Sequence, residues 1–211
     1  MAQFYEALTP ELREFIEAQP VFFTATAPNS GRINVSPKGM DTFRILDDRT
    51  VAYLDLTGSG NETSAHLREN GRITVMFCSF GKTPMIVRLH GHGRVIRSND
   101  AEWNELHGRF PLLAGERQIM KIAIDSAMTS CGWNVPRMEL LERRDGVPRY
   151  WEKKGQEQVV ECWRDFNSKS IDGLPTGIMD GVEVDANGDT ADEAADARNA
   201  MAVHAAKPSA R

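Results

Sequence analysis

No apolar run in this sequence approaches the roughly 18 residues that a membrane-spanning helix needs. Met1 to Pro10 carries neither a basic stretch nor an apolar one of the kind that directs export, so a cytoplasmic protein is the expectation. Cysteine is scarce: Cys78, Cys131 and Cys162 stand in no CxxC or CxxH spacing. That argues against a disulfide framework or a zinc site and for reduced thiols. Positive charge is in short supply too. The formal charge of −5 is uneven, because residues 176–211 hold seven acids against three bases and leave the rest close to neutral. A neutral body lacks the electrostatic footprint of a nucleic-acid or anionic-membrane binder. Neither a Walker-type phosphate loop nor GxGxxG occurs, and no internal repeat is present.

What is there reads as one domain over residues 1–175 and an acidic tail over 176–211. The tail is Ala-, Asp- and Gly-rich, short of the large apolar residues a core requires, and expected to be disordered. Thr9-Pro10-Glu11 opens a helix: Thr9 can cap, Pro10 suits the first position, and Glu11 favours the helix dipole. Leu12, Phe15 and Ile16 then share one face. A series of β signals follows, at 21–26, 32–38, 43–46, 51–56, 72–80 and 85–97, with turn residues between them. Gly91 and Gly93 inside the last run predict a bulge or a corner. One clear helix, 61–70, interrupts the strands and is closed by Gly71. A second is predicted at 100–110, a return to the sheet at 118–124, and a long helix at 150–169 with Trp151, Val159, Val160 and Trp163 as its apolar members. Short strands so spaced indicate an antiparallel barrel or sandwich rather than βαβ units.

Thr57-Gly58-Ser59-Gly60-Asn61-Glu62-Thr63-Ser64 joins a strand to a helix through a Gly-rich loop, a geometry that presents free N–H groups and the positive dipole end to a phosphate. Ser59-x-x-Glu62 is equally a capping box, in which both side chains satisfy the helix itself. Lys38, beside Gly39, is either a cation for a phosphate or a solvated strand end. Arg88, between Val87 and Leu89, points to the opposite face from both, where it lines a site or meets water. His90 and His92 share a strand face, as two metal ligands would, but no third ligand follows at a recognisable spacing, and polar residues on a solvated strand face are the favoured reading. His66 reads as a surface or supporting residue on the helix.

Taken in order, Gly31-Arg32-Ile33-Asn34-Val35-Ser36-Pro37-Lys38-Gly39, Thr57 through Leu67, Asn70-Gly71-Arg72 and Val87-Arg88-Leu89-His90-Gly91 resemble the pyridoxamine 5′-phosphate oxidase-like proteins. The resemblance implies a mainly β fold, a six-stranded antiparallel FMN-binding split barrel with flanking helices, and a homodimer with FMN at its interface. Carried over, Ser36 and Lys38 line the flavin; Thr57, Gly58, Ser59, Asn61, Glu62 and Thr63 form the phosphate-side loop; Arg88 faces the cofactor. Ser130, Cys131, Gly132 and Trp133 correspond to a segment at the interface. An FMN-dependent oxidoreductase is implied, with a small-molecule substrate and a nicotinamide as a candidate electron donor; a non-catalytic flavin sensor and a haem-binding split barrel are the alternatives. Two departures stand out. The oxidase has a basic pair where this chain has Glu62-Thr63, and its Arg- and His-bearing C-terminal motif has no counterpart in 137–170, which argues against B6 oxidation.

Overall fold

A computed structural model of the chain describes residues 2–182; most of the expected disordered tail, 183–211, lies outside the described residues. The compact unit extends to Ile178, so Thr176 and Ile178, each no more than 2% exposed, belong to the packed body.

After strand β1 (Gln3–Tyr5), helix α1 (Pro10–Glu17) forms as its cap predicts, with the Thr9 hydroxyl accepting from the Leu12 amide. It buries Leu12 and Ile16 on the main core. Strands β2 (Phe22–Thr26), β3 (Asn34–Lys38), β4 (Phe43–Ile45) and β5 (Thr50–Leu56) follow. Helix α2 (Glu62–Asn70) then ends at Gly71 in the left-handed conformation. Next come β6 (Arg72–Cys78), β7 (Ile86–Ile96), helix α3 (Trp103–His107) and β8 (Glu116–Ser130), and the chain closes with helices α4 (Gly146–Lys154) and α5 (Gln156–Cys162) and a π-turn at Trp163–Asn167.

All strands join one antiparallel sheet in the order β3-β2-β6-β7-β8-β5-β4, with β1 added on β8. The mainly β class therefore holds; among the described residues the sheet has eight strands where the resemblance implied six. β1, too short to carry an alternation signal, is the strand that no sequence run marked, while β8 is twice as long as the predicted 118–124 return. The sheet curls until its two ends meet. Phe22 on β2 packs 5.1 Å from Phe43 on β4 and 5.6 Å from Tyr53 on β5, ring centre to ring centre. Side chains close this seam, the arrangement of a split barrel. Each large apolar side chain taken from water there contributes roughly 1.5–3 kcal/mol.

The bulge expected near Gly91 lies between His90 and Gly91, where β7 shifts register on β8. The helix predicted over 150–169 is broken by Gly155 at φ +84°, a conformation that L side chains rarely adopt, and the one predicted over 100–110 shortens to α3. Among the described residues no helix is long and apolar enough to cross a membrane.

Candidate functional site

Strand register decides which predicted residues can meet. Lys38, Ser36 and Asn34 pair with Phe22, Thr24 and Thr26, all buried, so these three β3 side chains face inward at the seam. Asn34 Nδ2 donates to Thr63 Oγ1 at 3.3 Å and Ser36 Oγ to Asn34 Oδ1 at 3.3 Å. β3 is thereby tied to the first turn of α2.

Lys38 ends in a buried polar cluster that centres on a residue the sequence reading passed over. Asp55, with its side chain 3% exposed, receives Lys38 Nζ at 2.7 Å on Oδ1. On Oδ2 it receives Arg117 Nε at 2.8 Å and Gln118 Nε2 at 3.0 Å. Gln118 Nε2 also reaches Asn61 Oδ1 at 2.6 Å, and Arg117 Nη1 reaches Asn167 Oδ1 at 2.7 Å. Burial alone would raise the Asp55 pKa, but the charges of Arg117 and Lys38 outweigh it and hold the carboxyl well below its ordinary range. Tyr53 lies beneath, its ring centre 5.9 Å from Lys38 Nζ. Burial and then the Asp55 charge raise its phenol pKa, so the hydroxyl stays protonated. One carboxylate between two cations leaves a surplus positive charge in the cluster. Asn61, the N-cap residue of α2, makes no side-chain cap bond. Its Nδ2 and Gln118 Oε1 are buried without a hydrogen-bond partner, a costly condition unless something binds there.

The Gly-rich loop is engaged differently from expectation. Thr57 N donates to Gly115 O at 2.7 Å, Thr57 O accepts from Trp151 Nε1 at 3.0 Å, and Thr57 Oγ1 accepts from Trp163 Nε1 at 2.7 Å. Gly58 O accepts from Asn167 Nδ2 at 3.0 Å. These two residues thus anchor the C-terminal helices on the loop, while Ser59 is exposed. The capping box does not form. Glu62 Oε1 accepts from the Ile171 amide at 2.9 Å, because the C-terminal segment runs past the start of α2 and supplies a donor that sequence distance hides.

Arg88 is separated from all of these. It pairs with Met76 and Met128, Met76 pairs with Phe23, and Phe23 with Pro37. This row lies on the outer face of the sheet, where Arg88 Nη1 reaches Ser130 Oγ at 3.2 Å. His90 and His92 share that face and contact Thr74 Oγ1 and Asp125; among the described residues no group of three metal-ligating side chains exists. Cys131 and Trp133 are exposed. His66, in contrast to a surface position, is fully buried with Nδ1 2.9 Å from Thr26 Oγ1. A cleft of about 280 Å³ lies around the turn that follows Lys38, lined by Ile16, Phe22, Asp41, Phe43 and Arg143 among others.

Asp55, Arg117, Gln118 and Asn167 are the residues sequence reasoning missed. Asp55 did leave a signal: Val51, Tyr53 and Asp55 share one strand face, and a carboxylate among core positions calls for a partner.

The family model described as pyridoxamine 5′-phosphate oxidase matches residues 8–131. The pyridoxamine 5′-phosphate oxidase family protein ustO of Aspergillus flavus is 41% identical, over 83% of this chain and 78% of its own length. Among solved structures, HupZ of Group A Streptococcus is 22% identical over 56% of this chain and 89% of that one, with a TM-score of 0.44. A FAD-binding protein from Mesorhizobium loti is 17% identical over 62% and 99%, with a TM-score of 0.41.

Proposed function

This chain belongs to the pyridoxamine 5′-phosphate oxidase family, and from that premise we propose that it is an FMN-binding oxidoreductase that works as a homodimer on a substrate other than pyridoxamine phosphate. The observation that carries the reading is the donor set at the seam. Lys38 stands at the rim of a cluster with one surplus positive charge, and Asn61 Nδ2 is buried and unpartnered at the uncapped start of α2. That combination suits a phosphate-bearing ligand. The carboxylate that would oppose it, Glu62, is held by the Ile171 amide.

In this reading Lys38, Asn61 and Thr63 hold the phosphate side of FMN, and Ser36 and Asn34 line its approach. Bound FMN supplies the hydride chemistry; Lys38 supplies positive charge to the site. Thr57 acts indirectly, by fixing the loop against Trp151 and Trp163. The purified protein should be yellow and release FMN on denaturation. Lys38→Ala should weaken FMN binding about tenfold or more, as expected for a charge-assisted contact. A colourless protein that takes up no added FMN would sink the proposal, and a haem spectrum would redirect it. Reduction of the bound flavin by NADH or NADPH, with turnover onto an acceptor, separates an enzyme from a sensor.

The dimer is supported by the outer face of the sheet. Phe4, Met128, Arg88, Met76, Phe23 and Pro37 form one row across six strands, with Phe4 69% and the nearby Val35 62% exposed. A second copy would cover this row and bring Arg88 to the interface. Sedimentation should give a dimer, and Met76→Glu should shift it to monomer. A wild-type monomer that still holds FMN would contradict this part.

A further inference from the structure

The Asp55 cluster divides its partners in a way that a simple buried ion pair does not. Oδ1 of Asp55 serves Lys38 alone, whereas Oδ2 serves Arg117 and Gln118. Lys38 is also the one cation with access to solvent: its side chain is 22% exposed, against 4% for Arg117. Its stem is flexible and its head is a point charge, while the planar guanidinium of Arg117 is locked between Asp55 and Asn167. If Lys38 leaves, Asp55 keeps two hydrogen bonds and a full positive partner. Glu62, in the first turn of α2, is engaged by the Ile171 amide.

We infer that Asp55 is a positioning residue that parks Lys38 in the free protein and releases it to the ligand's phosphate, with Arg117 and Gln118 holding the carboxylate in either state. This inference rests on Lys38 being a contact of the bound anion, as in the functional reading above. The carboxylate and the ligand compete for one ammonium, so Asp55 limits affinity. A purely structural Asp55 would support it.

The double variant Asp55→Asn, Arg117→Gln separates the two. It removes one negative and one positive charge, so the cluster keeps its net charge while Lys38 loses its parking place. Two readouts are expected in the full-length protein, with folding checked by circular dichroism. Acylation of Lys38 by an amine-reactive reagent, quantified by peptide mass spectrometry without ligand, should rise at least threefold. The affinity for FMN should rise by a similar factor. Unchanged Lys38 labelling, or weaker FMN binding by the folded double variant, overturns the inference. Lys38→Arg, at the rim, provides a second route if the double variant does not fold. An arginine would grip Asp55 through its fork and stay there, so FMN affinity should fall about tenfold although the charge is kept, and unchanged affinity overturns the inference. Should the wild-type protein bind no FMN, the functional reading fails, and the labelling of Lys38 still decides whether Asp55 sequesters it.

Discussion

Gly91→Ala is expected to be among the most destabilising single substitutions in this chain. Gly91 sits at the β7 bulge, and a Cβ there would lie 2.1 Å from Ala123 O, 3.1 Å from its carbonyl carbon and 3.2 Å from Ile124 Cα. All three are backbone atoms of β8, so no side-chain rotation relieves the clash. Either the β7–β8 pairing opens at its centre or the bulge moves. Overpacking of an ordinary core side chain costs about 1–3 kcal/mol, and a clash with rigid backbone should exceed that range. For a protein of this size about 3 kcal/mol corresponds to a Tm lowered by roughly 6–12 °C. Gly146→Ala is the matched control, since a Cβ at Gly146 meets nothing within 4 Å. Thermal unfolding of the two variants checks the claim; similar Tm values would show that the bulge is not pinned by close backbone approach.

Arg117→Met should cost about 3 kcal/mol, at the low end of the range of about 3–5 kcal/mol for removing one partner of a buried ion pair. The low end applies because Asp55 keeps Lys38 and Gln118. The loss should depend on pH with a definite sign. Asp55 has a folded-state pKa below its unfolded value of about 3.9. Its contribution to stability is therefore present above about pH 4 and lost as pH falls toward the folded-state pKa. Arg117 is the largest charge holding that pKa down. The Tm gap between wild type and Arg117→Met should accordingly be widest near neutrality and narrow below about pH 4. Thermal melts at neutral pH and at about pH 3 test this. A gap that stays constant across that range would mean that Arg117 contributes through packing and its bond to Asn167 rather than through Asp55.

Much of the local structure was legible in the sequence. Thr9-Pro10-Glu11 marked the start of α1, Gly71 marked the end of α2, the hairpin of β4 and β5 appeared around 47–49, and Gly91 marked the bulge. Each is written in a few adjacent residues, because capping, turn formation and alternation act over one or two turns of chain. Gly155 shows the limit of that reading. Its positive φ splits a segment that apolar spacing alone reads as one helix.

By itself, then, the sequence determined the class of fold, the family and most of the elements in their order, and it singled out Lys38, Ser36 and the 57–63 loop. Only the tertiary structure decided how those residues are used. Lys38 and Asp55 are 17 positions apart, Asp55 and Arg117 are 62, Thr57 and Trp163 are 106, and Glu62 and Ile171 are 109. The curled sheet also sends Arg88 to the opposite face from Lys38, although alternation alone leaves either location open to it. The physical reason is common to all of these. A hydrogen bond or ion pair forms wherever folding brings two groups within about 3 Å, and that proximity is set by strand register and sheet curvature, which no short stretch of sequence contains.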